Sequence, residues 1–454
     1  MSFKLKVNLY FLTFISSELK INPIINVDAP DSFQENLKSG NHEDILLNIF
    51  IFLCQLVKND DYFGEKTHVP FCDAILQKIG INLYESIANS NLNEVGILNN
   101  LNLFIVSELY ATGGHTRLLL NILEQLPGKK IIVITDVFNN YASGLLSLDF
   151  LNNISFLNTS FILLPNYKSF KRKTIDLLEL LLSLNAKNVT ILAHDQDVVA
   201  YTACNPSLPS KQVFIHHADH RPSLGATISH YIHVDLSVGV QRICNGVLNE
   251  NPCLLHLTSS HEEERKFKFE DNEEISTVTS GNFNKFIFHG EFDYKKIVLE
   301  VLLSINGLHH HIGELSEINI SNIKNYLIEN RIDDSRFVYH GAVQSLAETL
   351  QNLNASIYFE SAPFVGLTAG IEALSIGLPV VRFMYSGNDR WILREIACYM
   401  YPENMPGWFD TSGIFSAIQE ATENINLLSI EAHHFYKENY SKNIFRERII
   451  SLLG

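Results

Sequence analysis

The stretch IHHADHRPSLG, residues 215–225, sets three histidines, an aspartate and an arginine within eleven residues. A histidine with an ordinary pKa of about 6.5 suits proton transfer at neutral pH. A neighbouring aspartate can fix its tautomer or act as the base itself. His217, Asp219 and His220 are therefore candidate catalytic residues, and Arg221 is a candidate partner for an anion or for Asp219. The competing reading is a polar loop. Zinc needs three or four convergent ligands, which a consecutive H-H-A-D-H string is poorly arranged to supply, so no metal is expected here.

Two further stretches carry glycine at strand-to-helix turns. In ATGGHTR (111–117), Gly113 and Gly114 let the backbone approach a ligand closely, and a helix start offers N–H groups to an anion. With His115 they are expected to line a binding cleft, although the string is neither a Walker loop nor a G-x-G-x-x-G fingerprint. In SAPFVGLTAGIEALSIGLPVV (361–381), a glycine-rich loop leads into a short helix, IEAL, that ends at Gly377. Thr368 and the amides of that helix start are suited to a diphosphate. Glu372 is suited to accept hydrogen bonds from the vicinal hydroxyls of a ribose.

Two histidine-bearing strings read less sharply. HDQD (194–197) imitates a metal-binding DxD; His194 and Asp197 are candidate cleft-wall residues, and a helix cap is the competing reading for the aspartates. In HHH (309–311), strand alternation sends His309 and His311 to one face and His310 to the other, so the three do not converge on one ion.

The elements around these stretches place them. Short apolar runs at 100–109, 129–136, 160–165, 188–195 and 211–219 alternate with helical patterns such as KTIDLLELLLSLNA (173–186). The series restarts with strands expected at 275–282, 305–313, 336–341, 355–361 and 378–383. Such alternation implies parallel sheets covered by helices. Ligands bind beyond the C-terminal ends of such strands, which is where the glycine and histidine strings fall. The expected organisation is a mostly helical extension (1–95), a first Rossmann-like domain (96–262), a second (263–430) and a C-terminal helix (431–454). The two domains join through the charged run SSHEEERKFKFEDNEE. The extension carries helical periodicity at 44–59 and 72–90 but no chemical motif.

Bulk composition narrows the classes. With 454 residues, 46% of them hydrophobic, the chain can build two or three cores. A formal charge of −16 disfavours nucleic-acid and anionic-lipid partners. Six scattered cysteines without a CxxC read as reduced thiols of a cytoplasmic protein. The start, MSFKLKVNLYFLTFISS, reads as a strand rather than a signal peptide. No run reaches the ~18 apolar residues of a membrane span.

On TGGHTR in the first half, and on HG (340–341) with LTAGIEALSIGLPVV in the second, the chain resembles the GT-B nucleotide-sugar glycosyltransferases over roughly residues 98–400. The resemblance implies an α/β, GT-B-like fold with two Rossmann-like domains facing a cleft, the second binding the donor and the first the acceptor. It implies that Glu372 meets the donor ribose. Gly366, Leu367, Thr368, Ala369 and Gly370 form the diphosphate loop. Lys285, in SGNFNKF, meets the phosphates; His340 and Gly341 lie beside the base; Arg390, in SGNDR, reaches phosphate or sugar.

The pattern departs from retaining members, which carry two glutamates with seven residues between them. Eight positions before Glu372 stands Phe364, and the nearest upstream glutamate is Glu360. The loop looks closer to O-GlcNAc-transferase-like enzymes, which invert. The expected activity is metal-independent, inverting transfer of a hexose-type sugar from a nucleotide diphosphate, a UDP-sugar first, to a hydroxyl or amide of a protein or glycan. No cofactor is expected. Two alternatives share the fold: a nucleotide-sugar epimerase or hydrolase, and a catalytically inactive GT-B-like partner or chaperone.

Overall fold

The structure is a computed structural model. It describes residues 23–25, 41–59, 61–88, 98–110, 114–139, 157–248, 251–259, 274–353, 355–386 and 390–454. Gly113, most of the SGNDR string, the first strand expected at the N-terminus and most of the charged linker lie outside these residues.

Apolar runs without polar alternation mark strands buried on both faces, and they build the first sheet. Its strands are β1 (Leu98–Val106), β2 (Lys129–Ile134), β3 (Thr159–Leu163), β4 (Ala186–Leu192), β5 (Lys211–His216), β6 (Ile232–Asp235) and β7 (Cys253–Leu254). The order is β3-β2-β1-β4-β5-β6-β7, and every pairing is parallel. The second sheet holds β8 (Thr277–Ser280), β9 (His309–Ile312), β10 (Phe337–Gly341), β11 (Ile357–Phe359), β12 (Val380–Phe383) and β13 (Gly407–Trp408). It is ordered β10-β9-β8-β11-β12-β13 and is also wholly parallel. In both sheets the chain reverses direction of winding next to the first strand, between β1 and β4 and between β8 and β11. The crevice at such a reversal is where open α/β sheets bind ligands.

Helices cover the sheets. Helix α1 (His42–Val57) and α2 (Pro70–Ala88) precede β1, and α3 (Gly114–Gln125), α4 (Phe170–Leu184), α5 (Val198–Ala203) and α6 (Val238–Leu248) serve the first sheet. Helices α7 (Tyr294–Ser304), α8 (Glu317–Glu329), α9 (Leu346–Asn352), α10 (Leu367–Ser375), α11 (Trp391–Cys398) and α12 (Ile414–Glu423) serve the second. The helical pattern at 371–374 is thus the middle of a longer helix that begins at Leu367. The C-terminal segment forms two helices rather than one, α13 (Ile425–Asn439) and α14 (Lys442–Leu453).

Helices α1, α2 and α14 are built into the first domain. Leu46, Ile49, Leu76 and Ile79 of α1 and α2 share one apolar core with Leu103 of β1, Ile191 of β4 and Leu177 of α4. The buried Asp73 carboxylate on α2 accepts from Gly225 N (2.8 Å), Thr227 N (3.0 Å) and the Thr227 hydroxyl (2.5 Å), tying that helix to the loop after β5. Helix α14 returns to the first domain, where Phe445 and Ile449 join the core of Phe104, Leu119 and Ile132. Strands β6, β7 and β13 were not among the strands expected. β7 and β13 are two residues long, and IHVD of β6 carries polar side chains on a buried face.

Candidate active site

The first wall of the crevice is built on the C-terminal ends of β1, β4 and β5. Gly114 opens α3, and a Cβ there would lie 3.7 Å from the Thr368 hydroxyl of the second domain. The glycine-histidine loop and the LTAG loop therefore meet across the cleft. Behind Gly114, His115 Nε2–H donates to Leu192 O at 2.7 Å. Its ring lies 4.6 Å from that of His217 and 5.0 Å from that of His194. Burial drives all three imidazoles below their ordinary pKa, His194 to about 3 with help from His115 and Arg221. They are neutral at pH 7. Among the described residues the Nδ1 atoms of His115 and His194 have no hydrogen-bond partner, and since His115 Nε2 carries the proton donated to Leu192 O, its Nδ1 keeps an unused lone pair.

Two and three residues beyond His217, the chain places Asp219 and His220. Asp219 is 1% exposed, and burial pushes its carboxyl up to about 7, only partly offset by His216. His220 Nδ1 stands 3.5 Å from Asp219 Oδ1, and a quarter of the His220 side chain is exposed. Arg221 Nη2 and Nε approach His220 Nε2 at 3.1 and 3.3 Å. An arginine can only donate, so Nε2 must be the unprotonated nitrogen and Nδ1 must carry the proton, facing Asp219. Burial and the cations Arg221 and Lys285 hold His220 well below its ordinary pKa. Arg221 also lies 3.8 Å from Asp195, whose carboxyl burial raises to about 7.

The second wall is built on β8, β10 and β11. Lys285, in a short 3₁₀ turn after β8, donates to Val365 O at 3.2 Å. Burial and then Arg221 pull its amine below its ordinary value, with Glu360 opposing. Glu360, at the end of β11, is fully buried. It accepts from Tyr401 Oη (2.5 Å) and Phe383 N (3.0 Å), and burial raises it to about 7.

Gly366 sits at the N-cap of α10, so Leu367, Thr368 and Ala369 supply the first-turn amides, which have no intrahelical acceptor by geometry. Glu372 follows Thr368 by four residues and shares its helix face. His340 is exposed and its Nε2 lies 3.0 Å from His310 Nδ1, while Gly341 closes β10 with a positive φ of 70°. Arg390 heads α11. Its guanidinium lies 4.6 Å from the Phe364 ring and 5.6 Å from the Phe63 ring, one from each side of the cleft.

Two expected site residues do not face the cleft. Asp197 is 0% exposed and caps α5 by accepting from Ala200 N (2.9 Å), while also accepting from the Ser107 (2.6 Å) and Thr135 (2.5 Å) hydroxyls. Its lone pairs are committed to the fold. Gly370 N–H donates to Gly366 O at 3.0 Å, and a Cβ at Gly370 would lie 2.1 Å from Tyr401 Oη. Glycine there allows the helix to pack closely against Tyr401 inside the domain.

One contributor had no local signal. The segment DYFGEK sends Phe63 between His220 (5.0 Å) and Phe364 (5.3 Å, edge-on). Gly64 N donates to His220 O (2.7 Å), and Gly64 O accepts from Ile392 N (2.9 Å). The alternation expected at HHH is observed: His311 and His309 both approach Tyr294 Oη (2.7 and 3.4 Å), whereas His310 turns to His340.

Solved structures share this two-domain architecture. The lipopolysaccharide outer core galactosyltransferase WaaB, in its apo form, is 13% identical with a TM-score of 0.53, over 78% of this chain and 100% of that one. A glycosyltransferase from Rickettsia africae is 10% identical with a TM-score of 0.55, over 78% and 98%. HepE from Anabaena, in complex with UDP, is 10% identical with a TM-score of 0.55, over 78% and 99%. No family model and no curated protein matches the sequence. At such identities the likeness is one of fold: the chain has a GT-B-like fold.

Proposed function

We propose that the chain is a glycosyltransferase moving a hexose-type sugar from a nucleotide diphosphate donor to a hydroxyl or amide of a protein or glycan. The carrying observation is the helix start at Leu367, whose Thr368 faces the Gly114 loop of the other domain and beside which Lys285 is held on Val365 O. A partly buried cation beside helix-start amides is a site for a multiply charged anion. HepE solved with UDP and WaaB named a galactosyltransferase support a UDP-sugar as the first donor to try.

In this reading the diphosphate lies on Lys285, Arg221 and the amides of Leu367 to Ala369, the ribose on Glu372, and the base beside His340 and Gly341. Arg390, carried on Phe364, completes the positive rim. The acceptor enters along Gly114, His115 and His194. When the diphosphate engages Arg221, His220 Nε2 is released and takes the proton of the acceptor hydroxyl. Asp219, at 3.5 Å from Nδ1, stabilises the imidazolium that forms. The acceptor oxygen bonds to the anomeric carbon as the bond to the diphosphate breaks, and the electron pair leaves with the diphosphate. Attack opposite the leaving group inverts the anomeric centre. The cations and the helix start compensate the leaving charge, so the transfer needs no divalent ion.

The test is a pair of measurements. Wild-type protein with a labelled UDP-sugar and acceptor extract should transfer label, and Glu372→Ala should lose most donor binding. Conversion of the donor without any acceptor would favour an epimerase or hydrolase. Unchanged cellular function of Glu372→Ala would favour a non-catalytic partner.

A further inference from the structure

On the face of the first sheet turned away from His217, a second cluster forms from residues far apart in sequence. His216 ends β5, His233 and Asp235 sit at alternate positions of β6, and Cys244 lies on α6. In the strand register His216 pairs with Asp235, and alternation along β6 puts His233 on the same face. All four are buried, with His216, Asp235 and Cys244 at 0% exposure and His233 at 8%. One ligand atom from each lies within 4.8 Å of every other.

The spacings within this group are informative. His216 Nδ1 and His233 Nε2 lie 3.2 and 3.0 Å from Asp235 Oδ1. Cys244 Sγ lies 3.5 Å from Asp235 Oδ1 and 3.7 Å from His216 Nδ1. In a tetrahedral zinc site with bonds of about 2.0–2.3 Å, ligand atoms are about 3.3–3.8 Å apart. The observed distances fall at or just below that edge length. Three groups crowd the single oxygen Asp235 Oδ1, and among the described residues Asp235 Oδ2 and His216 Nε2 are buried without a partner.

We propose that His216, His233, Asp235 and Cys244 form a buried site for a zinc-class transition-metal ion. Two histidines, a carboxylate and a thiolate neutralise the charge of a divalent ion, so the occupied site carries no net charge into the core. Binding releases the thiol proton and any proton held on the imidazoles. His68 is poised at its rim, with Nε2 3.8 Å from Cys244 Sγ and Nδ1 2.7 Å from the Thr67 hydroxyl, which orients the ring. The ion would join β5, β6 and α6, with the segment leading from Phe63 and Gly64 to His68 held against its rim. Its role is structural: it fixes the strand end from which His217, Asp219 and His220 project. The site stands independently of the proposed donor reaction.

The test uses full-length protein purified without a histidine tag, stripped by chelator and titrated with Co²⁺. A saturable tetrahedral visible spectrum with a near-ultraviolet thiolate-to-cobalt band is expected, displaced by Zn²⁺. Cys244→Ser should lose the thiolate band, whereas Cys253→Ser, at an exposed cysteine, should keep it. Zn²⁺ should raise the Tm of the stripped wild type but not of His233→Ala. Absence of a tetrahedral cobalt spectrum in the wild type, or a thiolate band persisting in Cys244→Ser, overturns the proposal. Should Cys244→Ser fail to fold, zinc content of the wild type after incubation and dialysis decides: stoichiometric metal supports the site and a trace amount overturns it.

Discussion

Replacing Lys285 by Met isolates the charge that the second domain brings to the cleft. Among the described residues the amine hydrogen-bonds only to Val365 O, at 3.2 Å, and Met keeps the apolar stem. A unit charge about 4 Å from a phosphate oxygen gains roughly 4 kcal/mol at the effective dielectric of a protein surface. Desolvating both partners removes much of that, leaving about 1.5–3 kcal/mol, typical of a charge-assisted hydrogen bond. Since about 1.4 kcal/mol is tenfold, the dissociation constant of a nucleoside diphosphate should rise roughly 10- to 150-fold. The nucleoside, which lacks phosphates, should bind Lys285→Met and wild type alike. Isothermal titration with UDP and uridine reads both numbers, and the wild-type advantage for UDP should shrink as salt screens the charge. A change for UDP below about threefold, or an equal loss for uridine, would refute placing the diphosphate on Lys285.

Other expectations follow from single contacts. In Asp219→Asn and His220→Ala, kcat should fall by about 10²–10⁴, the usual worth of general-base assistance, with donor KM kept; unchanged kcat returns the loop to a structural role. Glu360 is raised from 4.5 to about 7, facing the Tyr401 hydroxyl, Arg382, Lys285 and the Phe383 amide. A raised carboxyl stabilises the fold below its unfolded pKa and loses that contribution as pH climbs through the folded value. Relative to Glu360→Gln, wild-type unfolding free energy should therefore drop by about 3 kcal/mol between roughly pH 4.5 and 8. Parallel pH curves in urea denaturation would contradict this. A Cβ on Gly239 of α6 would lie 2.3 Å from Glu395 O of α11, backbone against backbone between the domains. Gly239→Ala should cost about 1–3 kcal/mol, seen as a lower Tm, and an unchanged Tm would show that the helices can part. Asp73→Ala leaves the donors of Gly225 and Thr227 without their carboxylate and should cost on the order of 3 kcal/mol in urea denaturation; a neutral effect would mean the loop is held by other contacts.

How much was readable depended on where the physics acts. Strands such as IIVI and VTIL are buried on both faces, so their apolar runs announce a parallel sheet without knowledge of neighbours. IHVD does not read this way, because His233 and Asp235 are polar on a buried face and are matched only by His216 and Cys244 from other elements. Glycine strings at strand ends were legible as sites because loop chemistry is local, and Gly114 and Thr368 do meet. Gly370 shares that chemistry, yet it answers to Tyr401, thirty-one residues further on. Asp197 imitated a metal motif while obeying a simpler local rule, the capping of α5. Phe63 carried no signal, since an aromatic in a short turn acquires its place only when His220 and Phe364 close on it.

The most direct measurement is equilibrium binding of wild-type protein to UDP-, GDP-, ADP- and CMP-sugars, followed by melting temperature and confirmed by calorimetry. The expected result is saturable stabilisation by one of these donors, abolished or strongly weakened in both Glu372→Ala and Lys285→Met. Stabilisation by none of them, or binding that both substitutions leave intact, would contradict a nucleotide-sugar site between the two domains.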